Sequence, residues 1–363
     1  MAPRAYHAVT AIQLANSPQE KNVRGPLMQD KKHASPARDC AWILTNGTVG
    51  MLAQGLAVAK AVGVPFELKT VRVRGPLAWL PSRMQIWLPP GVLLRFVASS
   101  EPLHPPWPRL IVSVGHQSVA PAVALKRLSN HSTFAVHVQD PKVSAHHFDW
   151  IAAPKHDGLT GPNVTTTLGS VHGVNPVRVA EAKEPFASLI GWLPRPRITV
   201  LLGGSSRAFR FTAFDAENFG RSLATMAREN NGSLLVTPSG RTSPAAVAAL
   251  SRAISDIPNF VWNGTGANPY LALLGFADVI VVTGDSVNMV TEAAGTGKPV
   301  YVHHLQGNSR RIARFHASML EAGAIRSFKG HLDDWSYKPI NDTEVVANII
   351  RNALGLGSKG SLR

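Results

Sequence analysis

Short runs of Val, Ile and Leu that stop at a polar or glycine turn, and then pass at once into a helical stretch, recur along this chain. The clearest is "VVTGDSVNMVTEAAGTGKPVYV" (281–302). A β-branched run reads as a strand, and the spacing after the turn reads as a helix. Strands that alternate with helices pair in parallel, because each crossover must carry the chain back to the same end of the sheet. The pattern therefore predicts an α/β fold.

The same unit appears before and after a Pro-rich segment, "GWLPRPR" (191–197). Before it stand "CAWILTNG" with the helical "MLAQGLAVAKAVG", which Gly63 closes, and "RLIVSVG" with "HQSVAPAVALKRLS". "TFAVHVQD" (133–140) and "FDWIAAPKHD" (148–157) are two further apolar runs ending in polar clusters. After it come "ITVLLGGSS", "GSLLVTPSGRTSP" and "NFVWNG", interleaved with helical stretches, then 281–302 and a last helix, "DTEVVANIIRNALG". A chain of 363 residues exceeds one compact domain. We expect a basic disordered tail over 1–39 and two doubly wound domains, 40–190 and 191–363. No period on the order of 20–50 residues recurs, which argues against a solenoid.

Net charge is +15 and is uneven. Residues 1–180 hold 18 Lys/Arg against 8 Asp/Glu, and 181–363 hold 19 against 14. The basic half suits a polyanionic neighbour such as acidic lipid or a phosphorylated ligand, or serves solubility alone. A plain nucleic-acid binder ranks behind these, since no recognised module is present. A single cysteine, Cys40, leaves no internal disulfide and is compatible with a reducing, cytoplasmic compartment. No apolar run reaches the roughly 18 residues that a spanning helix requires.

One segment breaks the alternation. "RVRGPLAWLPSRMQIWLPPGVLLRFVASSEPLHPPWP" (72–108) sets Arg72, Arg74, Arg83 and Arg95 among Trp79, Trp87 and Trp107. Rings beside guanidiniums suit an anionic membrane interface, to which the chain would bind peripherally. The prolines interrupt any long amphipathic helix and favour the other reading, an irregular lobe with inward-packed Trp.

Ligands of open parallel sheets bind at the carboxyl ends of the strands. In the second half those ends are Gly203-Gly204-Ser205-Ser206, Thr237 through Arg241, Asn263-Gly264, and Thr283 through Asn288. Ser205 and Ser206 supply hydroxyls there, and Arg207 or Arg210 could reach phosphate. Asp285 or Ser286 can cap a helix beginning near Val287. Free amides and the dipole at such a start attract phosphate. Glu292 lies one turn beyond Asn288 on the same face and can accept ribose hydroxyls, or it is merely exposed. "GTGKP" (295–299) follows a helix instead of opening one, so it reads as a C-cap; no P-loop or dinucleotide fingerprint occurs. In the first half, His116, Asp140, His156 and Asp157 stand at strand ends as candidate proton-transfer groups. No zinc spacing and no G-x-S-x-G elbow is present, so neither a metal nor a serine nucleophile is expected.

"HVQDP", "FDWIAAPKHDGLTGPNVTTTLGSVH", "NPYLALLGFADVIVVTGDSVNMVTEAAGTGKPVYV" and "WSYKPINDT" resemble the mitochondrial fission family first named for elongated mitochondria in plants, which has bacterial members. The resemblance runs from about Trp42 to Ala353. It implies a GT-B-like arrangement of two Rossmann-like domains facing across a cleft, as in sugar 2-epimerases and the lipid-linked murein glycosyltransferase. By that resemblance Ser286, Asn288 and Met289 contact phosphate, Glu292 holds ribose, and Gly203, Gly204 and Ser205 form the other wall. The base lies near Asn263 and Asn268 to Tyr270. The resemblance then implies an enzyme that uses a nucleotide diphosphate sugar, a glycosyltransferase or a sugar epimerase, with no metal or dinucleotide cofactor. The alternative the family implies is a non-catalytic adaptor recruiting a dynamin-related GTPase to the mitochondrial outer surface. Two departures, the compressed turn "NGTVGMLAQGLA" and Gly115-His116 in place of a Gly-Arg, fall in the acceptor-side domain.

Overall fold

The computed structural model describes residues 39–357. The tail expected over 1–39 lies outside the described residues, apart from Asp39. Two compact units separate: 39–173 together with 341–357, and Val174–Ile340. The boundary thus falls at Gly173–Val174 instead of near 190.

The first unit runs β1 (Ala41–Thr45), α1 (Val49–Val62), β2 (Phe66–Val73), α2 (Ser82–Gln85), α3 (Pro90–Arg95), β3 (Val97–Ser99), β4 (Leu110–Val114), α4 (His116–Leu128), β5 (Phe134–Val138), β6 (Trp150–Pro154) and β7 (Val164–Thr167). The sheet order is β3-β2-β1-β4-β5-β6-β7, parallel except for the β2–β3 pair. All five residues of β1 and of β4 are buried, as central parallel strands covered on both faces require. Gly63 closes α1 in the left-handed conformation at φ 83°, its amide reaching the Ala59 carbonyl.

The second unit runs α5 (Pro176–Lys183), α6 (Ala187–Ile190), β8 (Arg197–Leu202), β9 (Phe209–Arg210), α7 (Ala213–Glu229), β10 (Ser233–Pro238), α8 (Pro244–Ala253), β11 (Asn259–Val261), α9 (Tyr270–Phe276), β12 (Val279–Thr283), α10 (Val287–Ala294), β13 (Val300–His303), β14 (Gln306–Gly307), α11 (Arg310–Glu321) and β15 (Arg326–Ser327). Its parallel sheet is ordered β11-β10-β8-β12-β13-β15, and β9 pairs with β14 in a small antiparallel ribbon. A capping box fixes the start of α7, Thr212 and Asp215 exchanging hydrogen bonds.

The last helix, α12 (Asp342–Ala353), corrects the expected division at 191–363. Its apolar face lies with Val58 and Val62 of α1, where Val346, Ala347 and Ile350 are fully buried. Burying Val346 and Ile350 contributes about 1.5–3 kcal/mol each. The Asp342 carboxylate accepts from the Leu168 amide at 2.7 Å, and Thr343 Oγ1 accepts from the His172 amide at 2.8 Å. A helix that closes the chain therefore completes the unit that opens it.

The Trp/Arg segment divides. Trp107 packs edge-on to Trp42 at 6.2 Å, as inward packing requires. Trp79 and Trp87 do not: they are 90% and 74% exposed. Among the described residues, no helix is long and apolar enough to cross a membrane.

Candidate functional site

Both sheets reverse direction beside their first strand, which is where doubly wound folds open a crevice. In the second unit the reversal lies between β8 and β12, paired in parallel with Leu201 opposite Val282. The turns "GGSS" and "GDS", some eighty residues apart, are thereby neighbours. Asp285 ties them together. Its Oδ1 accepts from Thr283 Oγ1 at 2.7 Å, its Oδ2 from the Gly204 amide at 3.2 Å, and Arg241 pairs with Oδ2 at 2.7 Å. Thr283 Oγ1 in turn accepts from the Gly203 amide at 2.6 Å. A Cβ on Gly203 would fall inside the Asp285 carboxylate, and one on Gly204 against the Arg241 carbonyl. These glycines allow the two turns to close on one another.

Asp285 therefore faces away from the start of α10, and Ser286 is the cap, accepting from the Met289 amide. That bond is long, 3.4 Å. Ser286, Asn288, Met289 and Glu292 are each half-buried, neither sealed in core nor fully in water. Ser205 and Ser206, expected to offer hydroxyls to a ligand, instead hold their own loop. Ser205 Oγ accepts from the Phe211 amide at 3.0 Å, and Ser206 Oγ from the Ala208 and Phe209 amides at 3.2 Å. Arg207 and Arg210 line an open recess with Ser206 and Gln306.

Further along α10 the Glu292 carboxylate accepts from the Tyr270 hydroxyl at 2.6 Å. Burial pushes Glu292 above the ordinary carboxylate range, opposed by the Tyr270 hydrogen bond and the Arg178 charge. Burial, then the Glu292 charge, pushes Tyr270 well above its usual value, so the phenol stays protonated and donates. Two residues assigned to ribose and base thus form one pair. Asn263 stands exposed in the loop before α9, where its Oδ1 accepts from the Thr265 amide and hydroxyl at 3.0 and 2.7 Å. Lys298 of "GTGKP" donates to the last carbonyls of α9, Leu274 at 2.7 Å and Gly275 at 2.9 Å. The segment ends helices, as expected.

In the first unit the candidates stand at the carboxyl ends of β4, β5 and β6, three adjacent strands. His116 is the exposed first residue of α4, after Gly115 at φ 82°. Asp140 is held by the Lys142 amide at 2.8 Å and by its ammonium. His156 is buried, its Nε2 3.7 Å from Asp157 Oδ1. The topology gathers them on one sheet edge, and His116 alone of the four is exposed. Among the described residues, no group of three His, Cys, Asp or Glu side chains could hold a metal ion.

A profile of the family described as mitochondrial fission ELM1 matches residues 49–354. The chain belongs to the mitochondrial fission ELM1 family. It is 30% identical over 274 residues to a mitochondrial fission protein ELM1 of Arabidopsis thaliana, covering 68% of this chain but 64% of that relative's length. It is also 25% identical to an uncharacterized Rickettsia prowazekii protein, RP120, over 86% of this chain and 98% of the relative. Among solved structures, UDP-GlcNAc 2-epimerase from Methanocaldococcus jannaschii superposes with a TM-score of 0.52 at 13% identity, over 88% of this chain and 99% of that one. S. aureus MnaA, in a co-structure with UDP, gives 0.50 at 13% identity over 88% and 98%. At such identity the likeness establishes the fold, the GT-B-like class of two Rossmann-like domains.

Three features of this ELM1-family chain escape a reading by residue type. His137, in the middle of β5, is fully buried with Nδ1 2.7 Å from Ser113 Oγ, and burial lowers it to about 3. Only its place inside an apolar run hinted at that structural role. The Arg241–Asp285 pair joins residues 44 apart in sequence and carries no local signal. A cavity of about 330 Å³ opens beside Gly284, lined by Phe209, His304, Leu305, Ile312 and Leu320, but not by Ser286 or Glu292.

Proposed function

We propose that the second unit binds a nucleoside diphosphate sugar at the β8–β12 reversal and that the protein acts as a glycosyltransferase-like enzyme. Amides at the start of α10 hold the diphosphate, Glu292 accepts ribose hydroxyls beside Tyr270, and the loop 263–270 receives the base. Phosphate charge that develops as the glycosidic bond opens is stabilised by those fixed dipoles, without reorganisation at the moment of reaction. His116, the exposed candidate at the reversal of the first sheet, is the base that activates the acceptor, ahead of Asp140 and His156.

The observation that carries this reading is the Asp285 tie, which sets two strand-end turns side by side with the acidic group turned into the protein. The fold likeness to MnaA, a protein seen with UDP, supports the choice of ligand. Titration calorimetry with UDP and UDP-GlcNAc tests it. The intact chain binds, and Glu292→Ala weakens binding about tenfold or more while leaving the thermal melt in place. No heat from UDP, GDP or their sugars in the unsubstituted chain removes the proposal.

The name of the Arabidopsis relative favours a second reading, a non-catalytic adaptor in mitochondrial fission. Capture of a dynamin-related GTPase by a chain that binds no nucleotide sugar would select it.

A further inference from the structure

The segment between β2 and β3 has no place in nucleotide binding, and its composition is extreme. Between Glu67 and Glu101 there is no acidic residue, while Arg72, Arg74, Arg83 and Arg95 all fall there; Lys69, at the start of the stretch, is buried and paired with Glu67 at 2.9 Å. The four arginines are exposed, and among the described residues none of them makes an ion pair. Beside them, Trp79, Met84, Trp87 and Val92 are 90%, 51%, 74% and 42% exposed. Two indoles left in water on consecutive turns of chain are unusual for a surface with no partner.

The lobe that carries them is built and anchored. Ile86 and Leu93 are buried against the core under α4, with Leu77, Leu88 and Leu94 packed on the same cluster. Gln85, buried itself, donates from Nε2 to the carbonyls of both Leu77 and Leu80 at 2.8 Å, which fixes the turn between them. Arg127 of α4 donates to the Ile86 carbonyl, and Ser82 Oγ to the His116 carbonyl at 3.1 Å. Trp87 meets one ring, His147, edge-on at 6.2 Å. The outward apolar residues are therefore held outward by the inward ones.

We propose that this lobe, residues 75–96, is a docking surface for an anionic phospholipid bilayer. The charge complementarity rests on four exposed guanidiniums with no acidic residue among them, Arg83 and Arg95 within the lobe and Arg72 and Arg74 leading into it, and a guanidinium pairs with phosphate oxygens in fork geometry. Indole rings settle at headgroup depth, with the ring in the acyl boundary and the N–H toward water. Met84 and Val92 separate this surface from a single-stranded nucleic-acid platform, because aliphatic chains offer bases nothing to stack on. Pro76, Pro81, Pro89 and Pro90 break the segment into turns of a few residues, so it presents side chains and no helix groove for a protein helix.

Sedimentation of the full chain with phosphatidylglycerol–phosphatidylcholine vesicles tests this, with phosphatidylcholine vesicles alone and single-stranded DNA as the other arms. Binding to the anionic vesicles, weakened by salt and accompanied by a blue shift in Trp emission, is expected. Trp79→Ser with Trp87→Ser removes the shift and lowers partitioning about tenfold or more, with an unchanged thermal melt. Arg83→Glu with Arg95→Glu lowers it as well, by a second route that leaves the rings in place. Equal partitioning of the double Trp variant and the intact chain overturns the proposal, since basic charge elsewhere would then carry binding. So does an intact chain that stays in the supernatant, or one that self-associates or holds DNA through Trp79 and Trp87 without taking up vesicles.

Discussion

The two units share one strand order and differ in what they place where it reverses. In the second unit, β8 and β12 end in turns locked to each other through Asp285, whose charge Arg241 balances. In the first, the β1 turn is held within itself, Asn46 Oδ1 accepting from the Thr48 amide at 3.1 Å, and the β4 turn ends at the exposed His116. One reversal is a fixed frame of amides; the other carries titratable side chains on independent turns. A frame suits the part of a ligand that never changes, such as a diphosphate. Independent turns suit the part that differs between acceptors.

The largest effect expected on that comparison comes from Gly203→Val. The new Cβ must enter the Asp285 carboxylate, and Gly203, Gly204 and Asp285 are all buried, so the contact is not relieved by moving into solvent. We expect a loss of about 3 kcal/mol in urea melts and no measurable UDP binding. Gly115→Ala is the counterpart in the first unit. Its cost, about 1–3 kcal/mol, comes from φ 82° with ψ 163°, a backbone conformation essentially confined to glycine, with an added contact to Met51 Sδ at 3.3 Å. UDP affinity should survive it. Equal loss of affinity in both variants would erase the distinction between the two reversals.

The frame also shows what could be read in advance. Most central strands and the helices after them were legible because each is a local pattern, and the helix-ending role of "GTGKP" is local too; β2, β7, α5 and α11 were not named, and the cap of α10 was left between Asp285 and Ser286. The strand order was not legible, since neighbours such as Leu201 and Val282 share no local signal. Nor was the return of α12 to the first unit, because an amphipathic face does not name its partner. Ser205 and Ser206 were assigned to a ligand by residue type, and their hydroxyls turned inward for want of any other partner for the loop amides. Trp79 and Trp87 misled in the opposite sense: prolines correctly predicted broken helices, but broken helices do not require buried rings.

A middling effect, and a sharper one, concerns pH. An ionised carboxylate accepts more strongly from a ribose hydroxyl than a carboxylic acid does, and burial holds Glu292 above the ordinary carboxylate range. UDP affinity should therefore fall on acidification at a higher pH than an exposed glutamate would give. Tyr270→Phe deletes an interaction that lowers this pKa, so the fall moves higher still, with about 1 kcal/mol, roughly fivefold, lost at neutral pH. Stability runs the opposite way: the protonated form is favoured in the fold, so this group's contribution is present below its unfolded value and is lost as pH rises through the raised folded one. Titrations of both proteins across pH check the order of the two midpoints. Coincident midpoints would mean that Tyr270 and Glu292 do not share the ribose site.

The smallest effect on nucleotide affinity should come from Lys298, although its Gly-Lys setting invites a phosphate role. Its ammonium is spent on the carbonyls of Leu274 and Gly275, and burial lowers it to about 8 from 10.5. Between those values the unfolded chain binds more protons than the folded one, so stability rises with pH across that window. Lys298→Met removes the rise, because no group is left there to titrate, and UDP affinity stays within about twofold. Urea melts at several alkaline pH values, beside calorimetry at neutral pH, separate the two readouts. A large fall in affinity would place the lysine on the nucleotide, and the frame at β8 and β12 would then be only part of what holds it.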